Sequence, residues 1–231
     1  MDAILVPGLW LDERSWDPVV PALQEAGLAP RPLTMPGTGQ PAEEVADIGI
    51  DDWVATVVAA IDAADQPVVL VGHSGGGNVV WGAADRRPER VARVVFVDTV
   101  PPAPERGISE FAVVDGLIPF PGWDFFPEED VYDLTPEHRA AASGLVGSIP
   151  PRVPTDPLAL TDDRRHRIPV TLLMGSLDEG MLEGMLAEWG AYADEYTAID
   201  DRTVVKLGTA HWPQFSAPER LSAALVAAIR A

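Results

Sequence analysis

The residues of this 231-residue chain best suited to chemistry are a serine between glycines, a histidine past the last predicted strand, and two aspartates at predicted strand ends. Ser74 stands in Gly72-His73-Ser74-Gly75-Gly76, the pattern G-x-S-x-G. A serine hydroxyl is a weak nucleophile until a base takes its proton, and that base needs a third group to fix its tautomer. Of the four histidines, His73 adjoins Ser74 and should point away from the cleft. His138 and His166 lie among arginines and acids, where solvent exposure is expected. His211, in Leu207-Gly208-Thr209-Ala210-His211-Trp212-Pro213, falls on a loop at the same sheet edge as Ser74 and is the expected base. Asp178 and Asp98 both follow strand ends, and both satisfy the chain order Ser…Asp…His. Asp178 is closer in topology to the histidine loop and is the preferred acid, with helix N-capping as its structural alternative. Asp98 is the other candidate, or else lines the pocket floor or bonds the strand ends. Acyl transfer also needs two backbone N–H donors facing the oxyanion, and Gly75 and Leu9 are the expected pair.

The elements that must position these groups are readable from periodicity. Val68–Val71 is a short apolar run, mostly β-branched, between Pro67 and Gly72, which predicts a buried strand. Asn78, Val79, Val80, Trp81, Ala83 and Ala84 then open a helix. Strand, glycine-flanked serine and helix in that order predict a sharp elbow, with the hydroxyl at the positive end of a helix. Ala3–Val6 predicts a first strand running into Pro7-Gly8-Leu9-Trp10. A helix is expected over about 16–26, a weaker strand over 31–35, and loop over 38–48. Ile50, Trp53, Val54, Val57, Val58 and Ile61 form one face of an amphipathic helix. Further strands are expected at 94–97, 170–174 and 203–207. Leu182, Met185, Leu186 and Trp189 mark a helix face, and Ser216 with Glu219 predicts a capping box for the terminal helix.

Strands alternating with helices predict an α/β fold with a mostly parallel, doubly wound sheet of about six strands. Residues 1–100 and 169–231 form its core. Residues 101–168 break the alternation, are rich in proline and aromatics, and contain Thr135-Pro136, a cap residue followed by proline at the first helical position. They read as a lid inserted over the carboxyl edge of the sheet, where ligands bind in such folds. Trp10, Asp98, Trp123, Phe125, Phe126 and Trp212 are the candidate pocket residues.

Composition narrows the partners. A net charge of −20 argues against nucleic acid and anionic membranes as partners. No apolar run is long enough to span a bilayer, and the N-terminus reads as a strand rather than a leader, so a cytoplasmic protein is expected. The absence of cysteine excludes disulfides and thiolate chemistry. No metal-ligand motif or phosphate loop occurs, so no metal or cofactor is expected. A homodimer is left open.

Five segments carry a family resemblance: VPGLWLDERSW, VVLVGHSGGG, FVDTVPP, LLMGSLD and GTAHWPQFSAPE. Across nearly its whole length the chain resembles the α/β-hydrolases, in the small esterase-like group that contains plant methylesterases, hydroxynitrile lyases and bacterial esterases. The resemblance implies Ser74 as nucleophile, His211 as base, Asp178 as acid, and Leu9 and Gly75 as oxyanion donors. Two departures stand out. Pro7-Gly8 replaces the family's common His-Gly, which changes how the oxyanion loop is braced, and the chain begins directly at the strand leading into that loop, without antiparallel strands before it. The expected activity is hydrolysis of a small-molecule carboxylic ester or lactone through an acyl-enzyme. Hydroxynitrile-lyase chemistry is the alternative, but it implies a pocket lysine and an oxyanion-loop hydroxyl, which the insertion and Pro7-Gly8-Leu9 lack. A triad-retaining binding protein with little turnover is the third reading.

Overall fold

The computed structural model describes residues 1–231. Six strands, β1 (Asp2–Val6), β2 (Ala29–Pro32), β3 (Val68–His73), β4 (Val91–Val97), β5 (Val170–Met174) and β6 (Arg202–Lys206), form one sheet in the order β2-β1-β3-β4-β5-β6. Every neighbouring pair is parallel. Ten helices connect or cover them: α1 (Val20–Glu25), α2 (Ala42–Val45), α3 (Ile50–Asp62), α4 (Gly75–Arg86), α5 (Glu128–Val131), α6 (Pro136–Ala142), α7 (Glu179–Leu186), α8 (Ala191–Ala198), α9 (Pro213–Ser216) and α10 (Pro218–Arg230). This is the α/β-hydrolase fold.

Successive strand residues point to opposite faces, so a sheet covered on both sides needs apolar residues at every position of its central strands. Every residue of β3 is buried. Ile4, Val6, Leu70, Val94 and Phe96 belong to the larger core, under α3 and α4, while Ala3, Leu5, Val69, Val71 and Val95 face α1 and α10. The helix predicted from Ile50 forms, burying Ile50, Trp53, Val54, Val57 and Ile61. The Asp52 carboxylate accepts the Gly49 N–H at its start, at 2.8 Å. Edge strand β2 carries two prolines, which leave fewer N–H groups open to pairing.

Several local expectations change. The weak strand lies at Ala29–Pro32 rather than 31–35, because it pairs in register with Asp2–Leu5. The stretch 38–48 contains the short helix α2, and the helix expected over 16–26 is a 3₁₀ turn at Glu13–Trp16 followed by α1. The capping box at Ser216 does not form: Ser216 closes α9 and bonds the Trp212 carbonyl, and the terminal helix starts at Pro218. Thr135 caps α6 as its sequence predicts, accepting the His138 N–H at 3.2 Å.

Residues 98–169, between β4 and β5, are tied to the loop after β1. The Gly147 N–H donates to the Trp10 carbonyl at 2.7 Å, and the Trp10 indole donates to the Ile118 carbonyl at 3.3 Å. Leu11 also forms an antiparallel bridge with Val146. The loop after β1 is therefore braced from residues 118–147.

Candidate active site

β3 ends at His73 and α4 begins at Gly75, so the chain reverses on the single residue Ser74. Its φ of 50° and ψ of −126° lie in the left-handed region, at a cost on the order of 1–3 kcal/mol. The flanking glycines make the turn feasible. A Cβ on Gly72 would lie 2.6 Å from the Gly76 carbonyl oxygen. One on Gly76 would strike the Pro7 carbonyl and come within 2.7 Å of the Val6 carbonyl. These obstacles are backbone and cannot swing away, so the elbow and the loop after β1 are packed as one piece.

The loop after β6 brings His211 back across the sheet edge. His211 Nε2 lies 2.9 Å from Ser74 Oγ, and His211 Nδ1 lies 2.6 Å from Asp98 Oδ2. A carboxylate only accepts, so Nδ1–H donates to Asp98 and the Nε2 lone pair is left to take the serine proton. Asp98 is held from two further sides. Its N–H donates to the Leu173 carbonyl at 2.9 Å, and its Oδ1 accepts the Gly175 N–H at 2.6 Å. Burial pushes this carboxyl up, but the hydrogen bond and charge of His211, with the Gly175 N–H, outweigh it and hold Asp98 below the usual carboxylate range.

The acid expected at Asp178 is therefore misplaced, and Asp98 stands against the histidine instead. Asp98 directly follows β4, and its left-handed backbone, φ 47°, turns the carboxylate across the strand ends. Asp178 lies four residues past β5, is exposed, and spends its Oδ1 on the Met181 N–H at 3.0 Å as the N-cap of α7.

His73 does point away from the cleft, but it is not idle. It is fully buried, with Nε2 2.8 Å from the His211 carbonyl oxygen and Nδ1 3.3 Å from Gln214 Nε2. A carbonyl can only accept, so Nε2 carries the proton and Nδ1 receives the Gln214 amide. Burial first, and then the neighbouring His211, lower its pKa to about 3. A neutral imidazole thus anchors the backbone of His211. The same loop is held from the other side, because the His211 N–H donates to the Asp130 carbonyl at 3.1 Å and the Ala210 N–H to Asp133 Oδ2 at 2.9 Å. His166, expected at the surface, is half-buried and bonded to Glu195 at 3.0 Å.

The two expected oxyanion donors are neighbours. The Leu9 side chain packs against Gly75, where a Cβ would come within 2.8 Å of Leu9 Cγ. Neither the Leu9 nor the Gly75 N–H donates to a backbone carbonyl.

A cavity of about 360 Å³ opens beside Ser74 and His211, walled by Asp98, Val100, Ile108, Trp189 and Tyr192 among others. Of the expected pocket residues only Asp98 lines it. Trp10, Trp123, Phe126 and Trp212 pack edge-to-face on one another, with Trp123–Trp212 and Phe126–Trp212 centroids 5.1 and 4.7 Å apart, while Phe125 is exposed. These rings satisfy their burial among themselves. Trp189 and Tyr192 were not expected there. Trp189 lies beyond the end of α7, and α8 has no clear apolar periodicity to announce it. No group of three or more His, Asp or Glu side chains is arranged to hold a metal ion.

Residues 3–224 match the model of the alpha/beta hydrolase family. The chain belongs to that family. Among curated relatives, a carbendazim-hydrolyzing esterase of a Nocardioides species is 29% identical over 164 residues, covering 70% of this chain and 64% of the relative. The rice (Oryza sativa subsp. japonica) esterase PIR7B is 38% identical over 103 residues, 43% of this chain and 38% of its own. The matches thus span less than two thirds of these relatives. An extracellular alpha/beta-hydrolase from a Paenibacillus species superposes with a TM-score of 0.78 at 19% identity, covering 99% of this chain and 98% of that one, which shows the shared fold. No helix of this alpha/beta hydrolase is long and apolar enough to cross a membrane.

Proposed function

We propose that the protein is a serine hydrolase that cleaves a small-molecule carboxylic ester or lactone through an acyl-enzyme on Ser74. The observation that carries this reading is the continuous hydrogen-bonded chain Ser74 Oγ–His211–Asp98 opening onto a cavity. Relatives named as esterases support the same class of reaction.

Ser74 Oγ attacks the carbonyl carbon as its proton passes to His211 Nε2, and Asp98 stabilises the imidazolium that forms. The carbonyl oxygen becomes an oxyanion facing the Leu9 and Gly75 N–H groups, at the N-terminal end of α4. The C–O bond to the leaving alcohol then breaks, and His211 returns its proton to that oxygen. Water attacks the acyl-enzyme with His211 again as base, releasing the carboxylic acid and restoring the Ser74 hydroxyl. From residues 101–168, Pro102 and Ile108 contribute to the wall of this cavity.

A panel of simple esters, lactones, amides and cyanohydrins tests the class. Esters or lactones should be turned over fastest, amides slowly, and cyanohydrins not cleaved. Faster cyanohydrin cleavage than ester cleavage, or no turnover of any ester or lactone, would contradict the proposal.

A further inference from the structure

A second cavity, of about 370 Å³, lies next to the one at Ser74 and shares two of its walls, Trp189 and Tyr192. Segment 106–110 contributes to both, and Pro154, Thr155 and Ala191 complete the lining of the outer one. Ile108 faces the inner cavity, whereas Arg106, Ser109 and Glu110 line the outer one. Trp189 is 47% exposed, a large apolar surface left open to water beside a reactive serine. Its ring stands edge-on to Tyr192, with centroids 5.9 Å apart at 76°.

The Tyr192 side of this wall is firmly mounted. Glu195, one helical turn from Tyr192 on α8, is buried and takes a two-pronged pair from Arg165 with both distances 2.8 Å. It also accepts the Trp81 indole of α4 at 2.7 Å. Arg165 reaches Asp85, also on α4, at 3.1 Å. The helix that carries Ser74 at its start is thus tied to the helix that carries Tyr192, which sets the place of that ring relative to the nucleophile.

From this arrangement we infer that the two cavities form one bipartite substrate cleft. It takes esters in which an aromatic ring packs against Trp189 and Tyr192 and an uncharged polar group, such as a carboxamide, extends beyond the ring. The neutral terminus follows from the outer lining. Arg106 and Glu110 present opposite charges to the same space, so a charged terminus meets one like charge, whereas a group that both donates and accepts satisfies the two. The inference rests on the hydrolase reading for its reaction, and not for its binding geometry.

Two substrate series test it, one extended on the acyl side and one on the alcohol side. The first comprises methyl butanoate, methyl 4-phenylbutanoate and methyl 4-(4-carbamoylphenyl)butanoate; the second comprises butyl acetate and the corresponding phenyl and carbamoylphenyl esters. In one series kcat/KM should rise roughly tenfold or more with the ring and again with the carboxamide. Trp189→Ala should bring the extended and short esters to within about threefold of each other, and Trp189→Phe should restore most of the preference. Calorimetry of the carbamoylphenyl esters with the Ser74→Ala protein reads the cleft without turnover, and adding Trp189→Ala should weaken binding about tenfold or more. Equal kcat/KM across both series, or a preference and affinity unchanged in Trp189→Ala, would overturn the bipartite cleft. Absence of ester turnover with Trp189-dependent binding intact would instead count against the hydrolase reading alone.

Discussion

Asp98→Asn is expected to lower kcat on a short ester by about 10⁴-fold, whereas Asp178→Asn should leave kcat within about twofold of the parent. The asymmetry follows from what each carboxylate touches. Asp98 receives the Nδ1–H of His211 at 2.6 Å, and an asparagine there can turn its NH₂ toward the ring, selecting the tautomer whose Nε2 already carries a proton. That imidazole cannot take the proton of Ser74. The fold should survive, because an asparagine oxygen can still accept the Gly175 N–H. Asp178 only caps α7, and asparagine is as good an N-cap as aspartate, so neither rate nor stability has reason to change. Asp178→Ala should cost about 1 kcal/mol of stability and little activity. Steady-state kinetics with urea unfolding of each variant gives the comparison. A large loss in Asp178→Asn with Asp98→Asn active would return the acid to the loop after β5.

The second large effect is on stability in acid, and it comes from His73. Folded, this imidazole stays neutral down to about pH 3 because it is buried and faces His211; unfolded, it takes a proton near its ordinary pKa of 6.5. Below pH 6.5 the unfolded chain therefore binds a proton that the folded one refuses, and stability falls as pH drops toward 3. Above pH 6.5 both states are neutral, and the penalty vanishes. At about 1.4 kcal/mol per pH unit the full window is worth roughly 5 kcal/mol, comparable to the whole stability of many domains. Asp98 acts in the same direction. Its folded pKa is depressed, so its contribution is present above the ordinary carboxylate pKa and is lost as pH falls through the folded one. His73→Gln separates the two, since the glutamine amide can still donate to the His211 carbonyl but does not titrate. Urea midpoints from pH 7 to 3.5 should fall more steeply in the parent than in His73→Gln. Parallel curves would show that His73 does not control acid stability.

The elbow was legible in the sequence because it is local. A buried strand, two glycines about one serine and an apolar helix fall within twenty consecutive residues, and each has its own steric reason. His211 was legible for a similar reason, as a histidine placed on the correct sheet edge by the strand before it. The choice between Asp98 and Asp178 was not local. Both follow strands, and what separates them is that β4 lies directly beside β3 while β5 is one strand further away. The exposed Asp178 was also followed by a helix that needed a cap, a signal pointing to its structural role. Aromatic richness in residues 111–126 was misleading as a guide to the pocket, because large rings bury themselves most economically against each other. Trp189 and Tyr192 sit where a helix ends, Gly190 turns with φ 50°, and α8 begins, a junction with no periodic signature.

Mass spectrometry after treatment with a serine-directed phosphonylating reagent tests the central chemistry most directly. A single adduct per chain, on the peptide containing Ser74, should appear at the rate at which ester turnover disappears, and it should form far more slowly in Asp98→Asn. Full loss of turnover with the adduct on another residue, or full turnover retained after Ser74 is modified, would contradict a serine made nucleophilic by His211 and Asp98.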